Sequence, residues 1–187
     1  MRLVFPLLVA LLTAAPATAQ IRFADIPWAA TEATTFAGLR AAGLQVEARP
    51  DEDGDYKFSG TLTGHKVIGY AMMCAGSKTL CKIQVNLLTP DHKAREVYRD
   101  TQSILQEKYG TPTNVFEFFT KPYFEGDGYE DQAIRLGKGT FLTQWMDADK
   151  TNVGLKITEA LSVSLQYEGP VWSAEYAHRA KKANRVF

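Results

Sequence analysis

Three histidines, two cysteines, six serines and three short acidic clusters are the side chains of this chain with chemistry beyond packing. Each points to a specific reaction type that can be tested against spacing. None of the six serines sits in a GxSxG or SxxK setting, the two arrangements that expose and activate a serine nucleophile. His65, His92 and His178 are far apart and lack the HExxH spacing that puts two imidazoles and a carboxylate on one helical face. His92 and Glu96 are four residues apart, the spacing of a solvent-facing pair near a helix start. The acidic run Asp51-Glu52-Asp53-Gly54-Asp55 begins like a calcium-binding EF-hand loop. That loop needs glycine sixth and a bidentate glutamate twelfth, where this chain has Tyr56 and Leu62. Asp147-Ala148-Asp149 fails in the same way, with Asn152 and Thr158 at those places. In the third cluster, Glu125 to Asp131, Asp127, Glu130 and Asp131 are the carboxylates that could converge. No cofactor is expected from these patterns, and no catalytic or metal-ligating residue is assigned.

The cysteines give a firmer expectation. Ile68, Tyr70, Met72 and Cys74 share one parity, and Cys81, Ile83, Val85 and Leu87 share another. As two strands of a hairpin these segments put both cysteines at its mouth on the apolar face, bracketing residues 75–80. Residues facing each other in a non-hydrogen-bonded antiparallel pair have Cα atoms about 4.5 Å apart, within reach of a disulfide. Such a short loop gains roughly 2–3 kcal/mol from closure in the chain-entropy treatment. Two buried free thiols and a redox pair are the alternatives. The second lacks a CxxC motif, and no histidine lies close enough in sequence to suggest zinc.

The compartment suits a disulfide. Residues 1–19 read as a secretory signal peptide: Arg2, then the apolar run Leu3 to Leu12, then Ala17-Thr18-Ala19 before a cut at Gln20. The run is short of the roughly 20 residues needed to span a bilayer, and Pro6 and Pro16 interrupt it. The mature chain is therefore expected to be periplasmic or secreted and to lack a transmembrane segment. Equal numbers of basic and acidic residues, 21 of each, leave no electrostatic footprint for nucleic acid. With 45% hydrophobic and 11% aromatic residues the chain can build a core, so residues 20–187 are expected to form a single domain.

The elements that must position these groups alternate helix and strands. Thr31 caps a first helix that stops at Gly43, and Leu44 to Glu47 is a short strand. Strands follow from Tyr56 to Leu62, up to Cys74, and from Cys81 to Leu88. Thr89 and Pro90 open a second helix carrying Ala94, Val97, Tyr98, Thr101, Ile104 and Leu105 at helical spacing, and Gly110 and Pro112 end it. A second set of strands follows, from Val115 to Phe119, Thr140 to Met146, Val153 to Ile157 and Leu161 to Tyr167. A terminal helix over 171–182 carries Trp172 and Tyr176. The fold class is α+β, an antiparallel sheet with helices on one face. It has two helix-plus-strands halves, 20–89 and 90–170.

The stretch Ile26-Pro27-Trp28 through Gly43 resembles the opening of many small exported bacterial proteins of unknown function, although they commonly read Trp-Gly where this chain has Ala29. The helix ending Tyr109-Gly110-Thr111-Pro112 is similar to a second element of theirs. At the level of architecture alone, the helix-then-sheet repeat resembles the β-lactamase inhibitor protein and small outer-membrane assembly lipoproteins. The resemblance implies a binding or accessory role and transfers no active-site residue.

One cluster stands apart. Phe116, Phe118, Phe119, Tyr123, Phe124 and Tyr129 lie within 14 residues beside the glycine-rich acidic loop. Packing alone would make Phe116 and Phe118 core and set Phe119 on the opposite face. Exposed, Phe119, Tyr123, Phe124 and Tyr129 would form a partner-binding platform, because aromatic side chains are enriched at binding hot spots. The expected function is a non-enzymatic module that binds another envelope protein. A carrier of a small apolar ligand between helix and sheet is one alternative, and an enzyme with an unrecognised site is another.

Overall fold

A computed structural model describes residues 20–183; the leader expectation for residues 1–19 lies outside the described residues. The fold is α+β. Helix α1 (Glu32–Ala41) precedes strands β1 (Gln45–Val46), β2 (Tyr56–Leu62), β3 (His65–Met73) and β4 (Leu80–Leu88). Helix α2 (Ala94–Tyr109) precedes β5 (Asn114–Phe119), the short helix α3 (Glu130–Arg135), β6 (Gly139–Met146), β7 (Asn152–Ile157) and β8 (Val163–Glu168). Helix α4 (Trp172–Ala183) follows. All eight strands form one antiparallel sheet in the order β1-β2-β3-β4-β8-β7-β6-β5. Each half is a meander, and the last strands of the two halves pair at the seam, Val85 opposite Leu165 and Leu87 opposite Val163.

Local sequence explains most of these elements. Thr31 caps α1 by accepting the Thr34 N–H at 3.3 Å. The β2–β3 hairpin turns on Thr63-Gly64, both with positive φ (47° and 83°), the two-residue geometry that matches strand twist. Helix α2 begins later than Thr89 and Pro90 suggest. A 3-10 turn (Asp91–Lys93) intervenes, and the Thr89 hydroxyl donates to the Pro90 carbonyl instead of capping. His92 lies in that turn, and Glu96 pairs with Lys93 at 2.7 Å rather than with His92. Helix α3 emerges where the sequence reads as loop.

The core lies between the sheet and α1, α2 and α3. On β2 it takes Tyr56 and Phe58, on β4 Ile83, Val85 and Leu87, and on β8 Val163, Leu165 and Tyr167. Strand β3 contributes Val67, Ala71 and Met73, so the parity expected for this strand is reversed. Ile68, Tyr70 and Met72 face the other side. The physical reason is Gly69: a Cβ there would lie 2.2 Å from the Phe58 ring, so the large Phe58 side chain occupies the space that β3 leaves open. The two parities of β3 are both apolar, and only the neighbouring ring decides between them.

The disulfide Cys74–Cys81 is formed, with its Cα atoms 5.5 Å apart. It closes the β3–β4 hairpin where the register shifts, Met72 facing Lys82 and Met73 facing Leu80. Helix α4 lies across this end of the sheet, with Trp172 against Cys74, Cys81 and Met72. Arg179 holds it there. Its guanidinium donates to both Asp55 oxygens at 2.6 and 2.9 Å, to the Met73 carbonyl at 2.7 Å and to Glu175 at 2.9 Å. Asp55, 5% exposed, uses one oxygen to accept the Met73 N–H as well. These charge-assisted bonds hold Arg179 protonated well above its ordinary range. Replacing Arg179 by Leu leaves Asp55 buried without its cation, so urea unfolding should show a loss of about 3 kcal/mol. Combining it with Asp55→Asn should recover part of that loss; additive losses would show that the pair acts separately.

Candidate functional site

The strand order leaves two edges. Strand β1 has two residues, too short to template another chain. Strand β5 has six residues, Asn-Val-Phe-Glu-Phe-Phe, and runs exposed along most of its length. Its register fixes which groups point outward. Thr120 donates to the Lys138 carbonyl at 2.7 Å, and β6 uses its odd-numbered residues toward β7, as in the Asp147 N–H to Thr151 bond of 2.9 Å. The β5–β6 ladder is therefore made by the even residues of both strands. The N–H and C=O groups of Val115, Glu117 and Phe119 point away from the sheet.

Side chains alternate across the same strand. Phe116 and Phe118, opposite Leu142 and Thr140, lie on the face away from α1, α2 and α3 and are 44% and 51% exposed. Phe119 lies on the helix face, half-buried, its ring edge-on to Phe141 at 5.7 Å. This inverts the packing expectation that buried Phe116 and Phe118. At an edge the even-numbered face of β5 has no neighbouring strand on one side and no helix above it.

Above the helix face, α2 ties itself to β5 and β6 by a short polar chain. Tyr98, fully buried, shares a 2.6 Å hydrogen bond with Thr143; burial holds its hydroxyl proton well above the usual tyrosine range. Gln102 Nε2 donates to Thr143 Oγ1 at 2.7 Å and to Glu117 Oε1 at 3.1 Å. The result is that Glu117, on the outermost strand, is held by a neutral amide and has no ion-pair partner among the described residues. Arg99, one turn earlier on α2, lies 3.8 Å from Glu125.

The loop after β5 is built by its own carboxylates. Asp127 accepts the N–H groups of Phe124 at 3.0 Å and Tyr129 at 2.7 Å, and Glu130 accepts that of Gly126 at 3.0 Å. Gly126 and Gly128 supply the positive φ values of 83° and 79° that the turn requires. Glu130 and Asp131 each lie 3.6 Å from Arg95 on α2. These acids are committed to shaping the loop. Among the described residues no group of three or more His, Cys, Asp or Glu side chains could hold a metal ion.

Of the four residues singled out as a platform, the structure places Phe124 and Tyr129 outward, 64% and 60% exposed. Tyr123 is half-buried, its hydroxyl accepting from Gln132 at 3.2 Å. Phe119 belongs partly to the core. Phe119, Phe124 and Phe141, with Arg99, Glu117 and Glu125, line a surface pocket of about 220 Å³ beside β5. Phe116, Phe118, Glu117, Gln102 and Arg99 are members of this site that sequence reasoning did not select. Their role depends on β5 being an edge, which no local pattern announces.

No family model, no curated protein and no solved structure matches this chain. No helix among the described residues is long and apolar enough to cross a membrane.

The two kinds of aromatic residue separate by stability. Phe119→Ser removes a ring packed on Phe141 and should cost about 2–3 kcal/mol in urea unfolding. Phe124→Ser and Tyr129→Ser should each change stability by no more than about 0.5 kcal/mol. Equal large losses for all three would make the loop part of the core.

Proposed function

We propose that this chain is a non-enzymatic binding module of the bacterial cell envelope, and that it takes hold of another envelope protein along the β5 edge. The observation that carries the reading is the contrast between the sheet's two edges. Proteins blunt exposed edges because unpaired N–H and C=O rows recruit further strands. Here β1 is cut to two residues, while β5 keeps six, with Phe116 and Phe118 bare on one side and Phe124 and Tyr129 in the adjoining loop. Strand addition supplies main-chain hydrogen bonds, and neighbouring apolar side chains add affinity and selectivity. The leader expected from the sequence of residues 1–19 and the Cys74–Cys81 disulfide support an exported protein acting in the periplasm or outside the cell.

The carrier reading places an apolar ligand between helix and sheet. Under α2 that layer is filled by Tyr98, Trp145, Val153 and Leu155, all buried, and the space beside α3, lined by Ile134, Phe141 and Ile157 together with Lys156 and Glu159, is open and mixed in polarity. An enzyme needs an acid, a base and a pocket that converge. The β5 pocket offers Glu117 and Glu125 beside Arg99, a charged rim around phenylalanines.

The test uses a substitution that silences the edge without touching the ladder. Val115 directs its N–H outward, so Val115→Pro removes only a donor that the sheet does not use. Proteins captured from envelope extract by wild type and by V115P are compared, and any difference is re-measured with the purified partner. Affinity should fall at least about tenfold for V115P and for Phe118→Lys. Tyr176→Ser, at an exposed position of α4, should bind as wild type does. A partner bound equally well by folded V115P and Phe118→Lys overturns the edge reading.

A further inference from the structure

The pocket beside β5 specifies the added strand further, an inference that rests on the strand-addition reading above. A strand laid against β5 in the antiparallel sense used throughout this sheet hydrogen-bonds to Val115, Glu117 and Phe119, the residues whose main chain points outward. Its residues opposite Glu117 and Phe119 project to the helix face, because directly paired residues share a face. That face holds the 220 Å³ pocket. The Phe119 ring leans inward over Gly139, where a Cβ would come within 2.9 Å of it, and so leaves the outer side of the pocket open. Phe118, Phe119, Phe124 and Phe141 line it, with Arg99, Glu117 and Glu125 as its charged members. This suits one bulky apolar side chain. Two residues along the same face, Glu117 carries a carboxylate held by Gln102 and in no ion pair among the described residues, since Arg99 of the same pocket pairs with Glu125 at 3.8 Å.

We infer that the partner presents an extended segment with a bulky apolar residue followed, two positions later, by Lys or Arg. Antiparallel pairing puts the residue opposite Phe119 two positions before the one opposite Glu117, which sets the order apolar-x-basic. The apolar side chain enters the pocket, and the cation completes the ion pair that Glu117 lacks. A second copy of the chain carries a similar pattern in Phe119-Thr120-Lys121. It fits poorly, because the Phe119 ring is already committed to Phe141 and Lys121 lies in the turn beyond the strand.

The probe is a fluorescein-labelled octapeptide, Thr-Val-Thr-Phe-Thr-Lys-Thr-Val, read by fluorescence anisotropy against the full mature chain. Replacing its Phe by Ala should weaken binding about tenfold or more. Exchanging Phe and Lys should weaken it similarly. The Phe124→Ala protein should retain binding but lose most of the preference for Phe over Ala, and Glu117→Lys should reverse the preference for Lys over Glu at the basic position. Peptide binding without these preferences, or a preference untouched by Phe124→Ala, overturns the inference and leaves the edge reading standing. Failure of wild type to bind the octapeptide also overturns it, the edge then resting on the V115P comparison alone. Undiminished peptide binding by V115P counts against both. A concentration-dependent dimer in sedimentation that V115P dissociates assigns the edge to a second copy and overturns the inference as well.

Discussion

Everything in this molecule depends on the pairing of β4 with β8. Each half of the chain is a helix and a four-stranded meander, and neither meander alone has more than one side on which its final strand can be covered. Joining the two final strands fuses the sheets and lines up Ile83, Val85 and Leu87 with Tyr167, Leu165 and Val163 beneath the helices. The same step turns four strand edges into two. It places the first strand of each half, β1 and β5, on the outside. Which residues are free to meet a partner is thus settled at the seam, far from those residues in sequence.

The two halves then treat their outer strands differently. In the first, the chain leaves α1 through Leu44 and makes only two residues of pairing before the acidic turn takes it away. In the second, the chain leaves α2 at Gly110, whose carbonyl accepts the Trp145 indole N–H at 2.8 Å, and is delivered directly along β6 for six paired residues. Trp145 is a buried core residue, so the start of β5 is anchored to the interior while its length remains open. Edge strands tolerate this when charge or distortion protects them. The charge in the middle of β5 is Glu117, and Gln102 holds it toward α2. The protection on this edge is therefore a single carboxylate turned to one face, with aromatic rings on the other.

Much of this fold could be read directly. Helix α2 declares itself through Ala94, Val97, Tyr98 and Leu105, and β8 through the alternation of Val163, Leu165 and Tyr167 with Ser164 and Gln166. The cysteines could be paired from hairpin spacing, because seven residues and two apolar strands leave few other arrangements. What was not legible are the places where one residue's environment is decided by a distant one. The buried face of β3 turns on the meeting of Gly69 with Phe58. The late start of α2 turns on where the Thr89 hydroxyl goes. The exposure of Phe116 and Phe118, and with it the candidate site, turns on strand order. An apolar run reads alike at the centre of a sheet and at its rim, since periodicity reports a face and says nothing of lateral neighbours.

Ala29 shows the same limit on a smaller scale. Its φ of 60° is a left-handed conformation that costs an alanine roughly 1 kcal/mol. The bend is retained because it completes two contacts at once. The Ala29 N–H reaches the Leu80 carbonyl at 3.1 Å, the Leu80 N–H reaches Ala30 at 2.9 Å, and Trp28 lies against Gly169. The opening segment thereby laces together the ends of β4 and β8, the two strands on which the sheet's continuity rests. Strain in one residue is offset by holding the seam, and the seam leaves β5 at the rim. The physical path from Trp28 to the open edge runs through the centre of the sheet, so the stability of the scaffold and the exposure of the candidate site follow from the same pairing.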